Sequence, residues 1–376
     1  MKKLKPILFN IIRGYATSVF NFLIALYGIK TYGKENWGEI VALLLWVFFV
    51  VFFSNWGNQE YLLRKYSRNP SNIFELYTKN LFSRSSLLIF SFLIFLFFPF
   101  HIALLAWGLI VLMFFYNSLN SLIIYHQKFG EQLFAECAGA FMILYTIFSF
   151  PFDISTLLTA YCIAFTFKLI YLTIDLKLWR NKCTFNFSFQ EFTNANSFFL
   201  IGFMGWLVSK TDLYIVSYFF TKTTLSSYQL FSTSFLMLQA LSALMLLPYN
   251  KHFYRLNQVT IDAIQRKIAI ISIPIALIGT VAIWLLLSFL VGINFPIYYY
   301  LFGFFTVIPH YLTAIDYLKL KRENQEKRIA ALNIIGFLST LITSVLLINT
   351  LGLEGLLYSM MFTQWLLFLL LKYSHR

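Results

Sequence analysis

Twelve apolar runs, each about 20 residues long and closed by charged or turn-forming residues, take up nearly all of this 376-residue chain. About 20 apolar residues in helical form cross the roughly 30 Å hydrocarbon core of a bilayer. The runs fall at roughly 7–30, 37–58, 81–98, 102–125, 131–150, 155–176, 197–220, 225–249, 268–291, 295–318, 329–348 and 353–371. No soluble domain fits between them. The short Phe98–Pro99 break leaves an eleven-span count open. Composition agrees with this reading: the chain is 59% hydrophobic and 12% charged, with a mean hydropathy of +0.72. Soluble domains are about half apolar and about a quarter charged, so a soluble enzyme, a disordered chain and a secreted disulfide scaffold are excluded. The first run is not a cleavable leader. Lys2, Lys3 and Lys5 precede it, but the apolar stretch continues past Leu26 with no small-residue cleavage site. The fold class is therefore an all-α polytopic membrane protein with about twelve transmembrane helices.

The positive charges orient the spans, because Lys and Arg collect on the cytoplasmic side. With the N-terminus inside, twenty-two of the 29 Lys and Arg fall in cytoplasmic segments. Among them are Arg64, Lys65, Arg68 and Lys79 after the second run, Lys251 and Arg255 after the eighth, and Lys319, Lys327 and Arg328 after the tenth. Only Lys30, Lys34 and Lys222 fall outside. Both termini are then cytoplasmic. Most of the net charge of +14 is thus topological and is no nucleic-acid footprint. Arg13, Arg84, Lys168 and Lys210 remain within the runs.

Several chemistries lack their residues. Cys137, Cys162 and Cys183 are odd in number and have no metal spacing. The five histidines are dispersed, with no pair one helical turn apart. No outer loop exceeds about seven residues, and Asp153 and Glu35 are the main acids there, so no paired carboxylates face outward for general acid–base work. No phosphate-cradling Gly-rich loop with its Lys is present. The reading is no enzyme, no cofactor and no metal.

Two segments share a design. Asn21 to Tyr32, followed by Gly33-Lys34-Glu35-Asn36-Trp37-Gly38, opens the first half; Ser209 to Phe220, followed by Thr221-Lys222-Thr223-Thr224, opens the second. Each is a long apolar helix, a short turn with a Lys, and a second helix running into a basic loop. Two six-span halves are a common transporter build. The expected division is 1–182 and 183–376.

At this level the whole chain resembles the Wzx-type O-antigen and polysaccharide flippases of the multidrug/oligosaccharidyl-lipid/polysaccharide (MOP) exporter superfamily. The stretches that carry the resemblance are Tyr32 to Gly38, Asn55-Trp56-Gly57 through Arg64 to Ser67, Lys210-Thr211-Asp212-Leu213-Tyr214 through Tyr228, and Leu351-Gly352-Leu353-Glu354-Gly355. The resemblance implies a MATE-like pair of six-helix lobes in the bacterial inner membrane. It implies translocation of undecaprenyl-diphosphate-linked oligosaccharide repeat units by alternating access, for O-antigen or capsule biosynthesis. Membrane lipids, and polymerase and chain-length proteins of the same pathway, are the implied partners.

Such a cargo has an anionic diphosphate and a polar sugar, neither of which enters hydrocarbon cheaply. Ionisable groups deep in spans usually face a hydrated cavity or pair with one another. Lys168 sits mid-span in the sixth run, and Lys210 and Asp212 in the seventh. Each is read as a cavity group or as half of an interhelical ion pair. Lys210 and Asp212 are about 200° apart around a helix and cannot pair directly. Asp212 is also the ion-coupling candidate. Arg13 either grips a phosphate or snorkels, Arg84 is read as snorkelling, and Arg64 as a phosphate contact or an interfacial anchor. Glu136 is read as pairing with a loop base. Trp206, Tyr15 and Tyr214 are candidates for stacking on sugar, against the alternative of lipid-facing bulk. Pro248, Pro274 and Pro309 are potential bends. The alternative functions are a cation-coupled drug exporter of the same superfamily and, further off, a membrane polysaccharide enzyme.

Overall fold

A computed structural model describes residues 4–180, 186–246, 257–323 and 325–373, but not the side chains of 4–11, Arg13, Arg180, Met245 and Lys321. The sequence readings at Lys2, Lys3, Lys5, the Arg13 side chain, Cys183, Pro248, Lys251 and Arg255 lie outside this description.

The described residues are helical and contain no strand. The helices are α1 (Leu4–Tyr32), α2 (Lys34–Asn55), α3 (Asn58–Arg68), α4 (Ile73–Ser85, continued as 3-10 turns over Ser86–Leu96), α5 (Phe100–His126), α6 (Phe129–Ser149) and α7 (Ile154–Asp175). They continue with α8 (Gln190–Phe219), α9 (Lys222–Leu246), α10 (Gln258–Leu285, wider turns to Val291), α11 (Ile297–Arg322), α12 (Glu326–Leu351) and α13 (Leu353–Tyr373). Ten described stretches, counting α2 with α3, are long and apolar enough to cross a membrane. The 29-residue α1 and 25-residue α9 have the length as well. Each of the twelve apolar runs read from sequence falls on one of these helices, and the short α3 lies between the second and third runs.

Local chemistry sets the breaks. Pro99 stands at the N-cap of α5 with φ −54°, and the 3-10 turns before it end at Leu96. The third and fourth spans are separate helices. α2 stops at Trp56 and Gly57, both left-handed, with φ 42° and 65°. A Cβ on Gly57 would lie 2.5 Å from the Phe199 backbone nitrogen, so only glycine fits there. The chain then leaves as the short α3, which buries Tyr61, Leu62 and Tyr66 and exposes Arg64 and Arg68. Arg64 therefore belongs to a separate amphipathic helix rather than to the end of the second span. Asp153 caps α7 by accepting from the Thr156 amide at 2.6 Å, and Asn257 caps α10 by accepting from the Thr260 amide at 2.9 Å. Pro274 and Pro309 lie inside α10 and α11, which run on through them.

The described chain packs as two compact units, Met1–Phe203 and Met204–Arg376, divided inside α8. The division at 182/183 read from the sequence lies outside the described residues. The first turns of α8 pack into the first unit because Trp56 stacks on Phe199 at 4.0 Å, its indole N–H donates to the Phe192 carbonyl at 3.2 Å, and Lys65 pairs with Glu191 at 2.7 Å.

In the first unit α6 packs on α7, α5 on α7, α1 on α6, and α2 and α3 on α5. Its core joins Tyr61, Leu62 and Tyr66 of α3 to Tyr77 of α4, Leu119 and Leu122 of α5, and Leu172 of α7. In the second unit α12 and α13 form a hairpin, and α11 packs on α9, α10 and α13. That hairpin closes over Gly352, at φ 57°. The outward faces remain apolar: Phe141, Ile270, Ile278, Phe289 and Leu346 are all more than 60% exposed, as a lipid-facing surface requires.

Candidate functional site

The charged residues inside the helices are built into polar networks, one set in each unit. In the first unit Lys168 on α7 is 6% exposed, and its ammonium lies 2.7 Å from Glu136 Oε2 on α6. The Tyr116 hydroxyl of α5 donates to Glu136 Oε1. Gln132 donates to the Asn120 side-chain oxygen at 2.9 Å and to the Tyr116 hydroxyl at 3.4 Å. The ammonium also stands 4.6 Å from the Phe165 ring centroid and 5.6 Å from that of Tyr116. Gly139 makes this possible: a Cβ there would meet Lys168 Cε at 2.2 Å. The lysine stem therefore lies flat on α6, and the pair satisfies most of its own hydrogen-bonding needs.

Glu136 thus pairs with a helix residue, Lys168, not with a loop base. The sequence does carry the signal. The two residues are 32 apart and lie equally far on either side of Phe152, in the turn joining α6 to α7. In an antiparallel hairpin such positions sit at the same depth. Opposite charges there are expected to meet.

A second network in this unit surrounds Arg84, which is 1% exposed. Its Nε donates to Asn80 Oδ1 at 2.7 Å, its Nη1 to the Asn55 carbonyl at 3.1 Å, and its Nη2 to Ser118 Oγ at 3.1 Å. The guanidinium lies 5.3 Å from the Phe114 centroid. Asn80 in turn donates to Glu191 Oε2 at 3.2 Å, and Lys65 holds the other oxygen of Glu191. Arg84 does not snorkel. Polar groups from α2, α4 and α5 meet it inside the bundle, so it has no need to reach the interface.

In the second unit α8 presents two faces of different chemistry. Trp206, Lys210 and Tyr214 follow one another at four-residue steps, which places them along one side of the helix. All three are half-buried, and the Trp206 and Tyr214 rings meet edge to face at 5.9 Å. Among the described residues no acid lies within ion-pair distance of Lys210. The opposite side holds Asp212, 1% exposed. Its Oδ2 accepts from Ser232 Oγ at 2.6 Å and from the Tyr228 hydroxyl at 3.0 Å, both on α9, and its Oδ1 has no hydrogen-bond partner. Two hydroxyls, rather than a cation, hold the carboxylate among the described residues.

The remaining sequence candidates lie apart from these networks. Tyr15 is half-buried on α1, and Arg64 is exposed on α3 with its guanidinium carbon 5.9 Å from the Phe198 centroid. Among the described residues no group of three or more His, Cys, Asp or Glu is placed to hold a metal.

No protein-family model matches the chain, and no curated protein matches it either. Solved structures do match along almost its entire length. The lipid II flippase MurJ in an inward closed conformation superposes with a TM-score of 0.71 at 17% identity, covering 98% of this chain and 87% of that one. The MATE multidrug transporter DinF-BH gives 0.67 at 11% identity, covering 99% and 94%. The eukaryotic MATE transporter AtDTX14 gives 0.66 at 15%, also covering 99% and 94%. The chain therefore has the polytopic helical fold shared by MATE transporters and MurJ. It is a multi-pass membrane protein.

Proposed function

We propose that this chain is a flippase of the bacterial inner membrane that moves undecaprenyl-diphosphate-linked oligosaccharide repeat units by alternating access, for O-antigen or capsule synthesis, alongside the polymerase and chain-length proteins of that pathway. The observation that carries this reading is the Trp206–Lys210–Tyr214 face of α8. It combines a cation free of any acid within ion-pair distance among the described residues with two aromatic rings in contact. A cation suits a diphosphate, and an indole beside a phenol suits a sugar. The structural likeness to MurJ, described as a lipid II flippase, supports a lipid-linked cargo.

Lys168 contributes differently. It is held by Glu136, so it contacts a phosphate only when that pair opens. The decisive experiment is therefore Lys210→Ala in a strain lacking the chromosomal copy. Surface polysaccharide falls at least about tenfold while the protein inserts normally, since one charge-assisted contact contributes about 1.5–3 kcal/mol. Full complementation by Lys210→Ala would sink the cationic-face mechanism.

A second reading has one observation in its favour. Asp212 is a deep carboxylate with an unpartnered oxygen, as a cation-coupled exporter of small cationic drugs needs. Under that reading the deletion strain becomes drug-sensitive while its surface polysaccharide stays intact.

A further inference from the structure

Within the second unit α11 packs on α13, and the two helices run in the same direction from a shared end. Tyr298 meets Glu354 in their first turns. Deeper in, the Phe302 and Tyr358 rings meet edge to face at 4.4 Å, and the Trp365 indole N–H donates to the Phe305 carbonyl at 3.1 Å. That carbonyl is open to a partner because Pro309, four residues on, has no N–H. The seam is therefore about 10 Å deep or more, the rise from Tyr298 to Phe305 at 1.5 Å per residue. Along it Tyr298, Phe305, Tyr358 and Phe362 are exposed, and Phe302 and Glu354 are half-buried. At its head the Tyr298 hydroxyl donates to Glu354 Oε1, and the Tyr298 ring stands edge to face with Phe302 at 6.2 Å. Among the described residues Glu354 makes no other hydrogen bond and no ion pair. No Asp, Glu, Lys or Arg occurs in 268–315, 329–353 or 355–371, so α10, α11, α12 and α13 bring no second charge to this end. Lys222, where α9 begins, forms no ion pair with Glu354.

We propose that this seam seats phosphatidylethanolamine, with its primary ammonium on Glu354 and one tail along the rings below. Charge complementarity sets the headgroup. A carboxylate at the membrane end of two spans, with no cation of its own chain, attracts one from the interface and repels an anionic headgroup. Tyr298 fixes one oxygen and leaves the other to accept a charge-assisted hydrogen bond. A primary ammonium donates that bond, whereas a trimethylammonium has no N–H to give. The rings of Tyr298, Phe302 and Tyr358 add attraction for the cation. A metal ion fits less well, since among the described residues no group of three or more His, Cys, Asp or Glu is placed to hold one. Below the carboxylate the exposed lining is apolar and runs with the helix axes, as lipid tails do. The inference depends on the chain lying in a membrane and not on the cargo proposed above.

The test uses the full chain, released from nanodiscs of equal parts phosphatidylethanolamine, phosphatidylcholine and phosphatidylglycerol and analysed by native mass spectrometry. The wild type retains phosphatidylethanolamine at least about tenfold over either of the others, the scale of one charge-assisted contact. Glu354→Gln, at a half-buried position, folds and loses that preference. Tyr298→Phe keeps the ring but releases the carboxylate, and lowers the preference about threefold. Glu39→Gln removes an exposed carboxylate of the first unit and leaves the preference unchanged. Equal retention of the three lipids by the wild type overturns the proposal, as does an unchanged preference in Glu354→Gln or an equal loss in Glu39→Gln. Retention of phosphatidylcholine as strong as that of phosphatidylethanolamine overturns it too. So does displacement of the lipid by millimolar glycerophosphoethanolamine, which carries the headgroup without tails and shows a site for soluble amines. A failed polysaccharide assay leaves all of these outcomes standing, so the two proposals fail separately.

Discussion

At the residue scale, the Lys168–Glu136 pair shows why a charge inside a span is ambiguous. An ion pair at 2.7 Å between side chains 7% and 11% exposed gains attraction but gives up hydration on both sides. Desolvation of such a pair commonly offsets the gain, whereas removing one partner strands a buried charge. Lys168→Met alone and Glu136→Leu alone should therefore each destabilise the protein by about 3–5 kcal/mol. The double variant should return to within about 1 kcal/mol of the wild type or exceed it, since apolar replacement of a buried pair is often neutral or stabilising. Thermal unfolding in one detergent reads all three. Additive losses in the double variant would show that the two side chains do not act as a pair. The double variant also separates roles. If it folds and still supports polysaccharide export, the pair is purely structural. Gly139→Ala probes the same packing, because the added methyl meets Lys168 Cε. It should cost about 1–3 kcal/mol through overpacking, and much less in a Lys168→Ala background, which has no Cε.

At the element scale, the helices follow from hydropathy and length, and the breaks follow from a few residues with special backbone chemistry. Pro99 and the Asp153 cap are legible in the sequence as a proline and an N-cap residue between apolar runs. The Trp56–Gly57 break is legible only in part. Glycine announces a turn, but the left-handed tryptophan before it and the approach of α8 do not. That approach is also why α3 separates from α2, and why Arg64, read as a span end, sits on its own amphipathic helix. The burial of Arg84 is not legible either: its partners Asn55, Asn80 and Ser118 come from three helices. Hydropathy gives the depth of a charge but not the polar groups facing it across the bundle. Gly57→Ala tests the break. The left-handed conformation alone costs a non-glycine residue about 1–2 kcal/mol, and the Phe199 backbone at 2.5 Å from the new Cβ adds to it. The unfolding midpoint should fall accordingly, whereas Gly130→Ala, with open space around its Cβ, should stay near the wild type.

At the scale of the whole molecule, the question is what drives a cycle in a chain with no recognisable nucleotide loop. Most of its cations lie between the helices or toward their ends; the few deep within the spans carry the rest of the argument. Among the described ionisable groups there, Asp212 has spare capacity. One carboxylate oxygen is fully engaged by Ser232 and Tyr228, and the other has no hydrogen-bond partner. Coupling through Asp212 requires that a proton be taken and released at the free oxygen while Ser232 and Tyr228 of α9 hold the other. Asn at this position keeps a carbonyl oxygen to accept from Ser232 and Tyr228 but is neutral at every pH. Asp212→Asn should therefore insert and fold like the wild type. In proteoliposomes it should show transport that no longer responds to an imposed pH gradient, while the wild type responds at least about tenfold, the factor that 1.4 kcal/mol of coupling represents. The measurement is cargo movement with and without the gradient for both proteins. If Asp212→Asn follows the gradient as closely as the wild type, coupling runs through another group, and the unpartnered oxygen is a packing feature of α8 and nothing more.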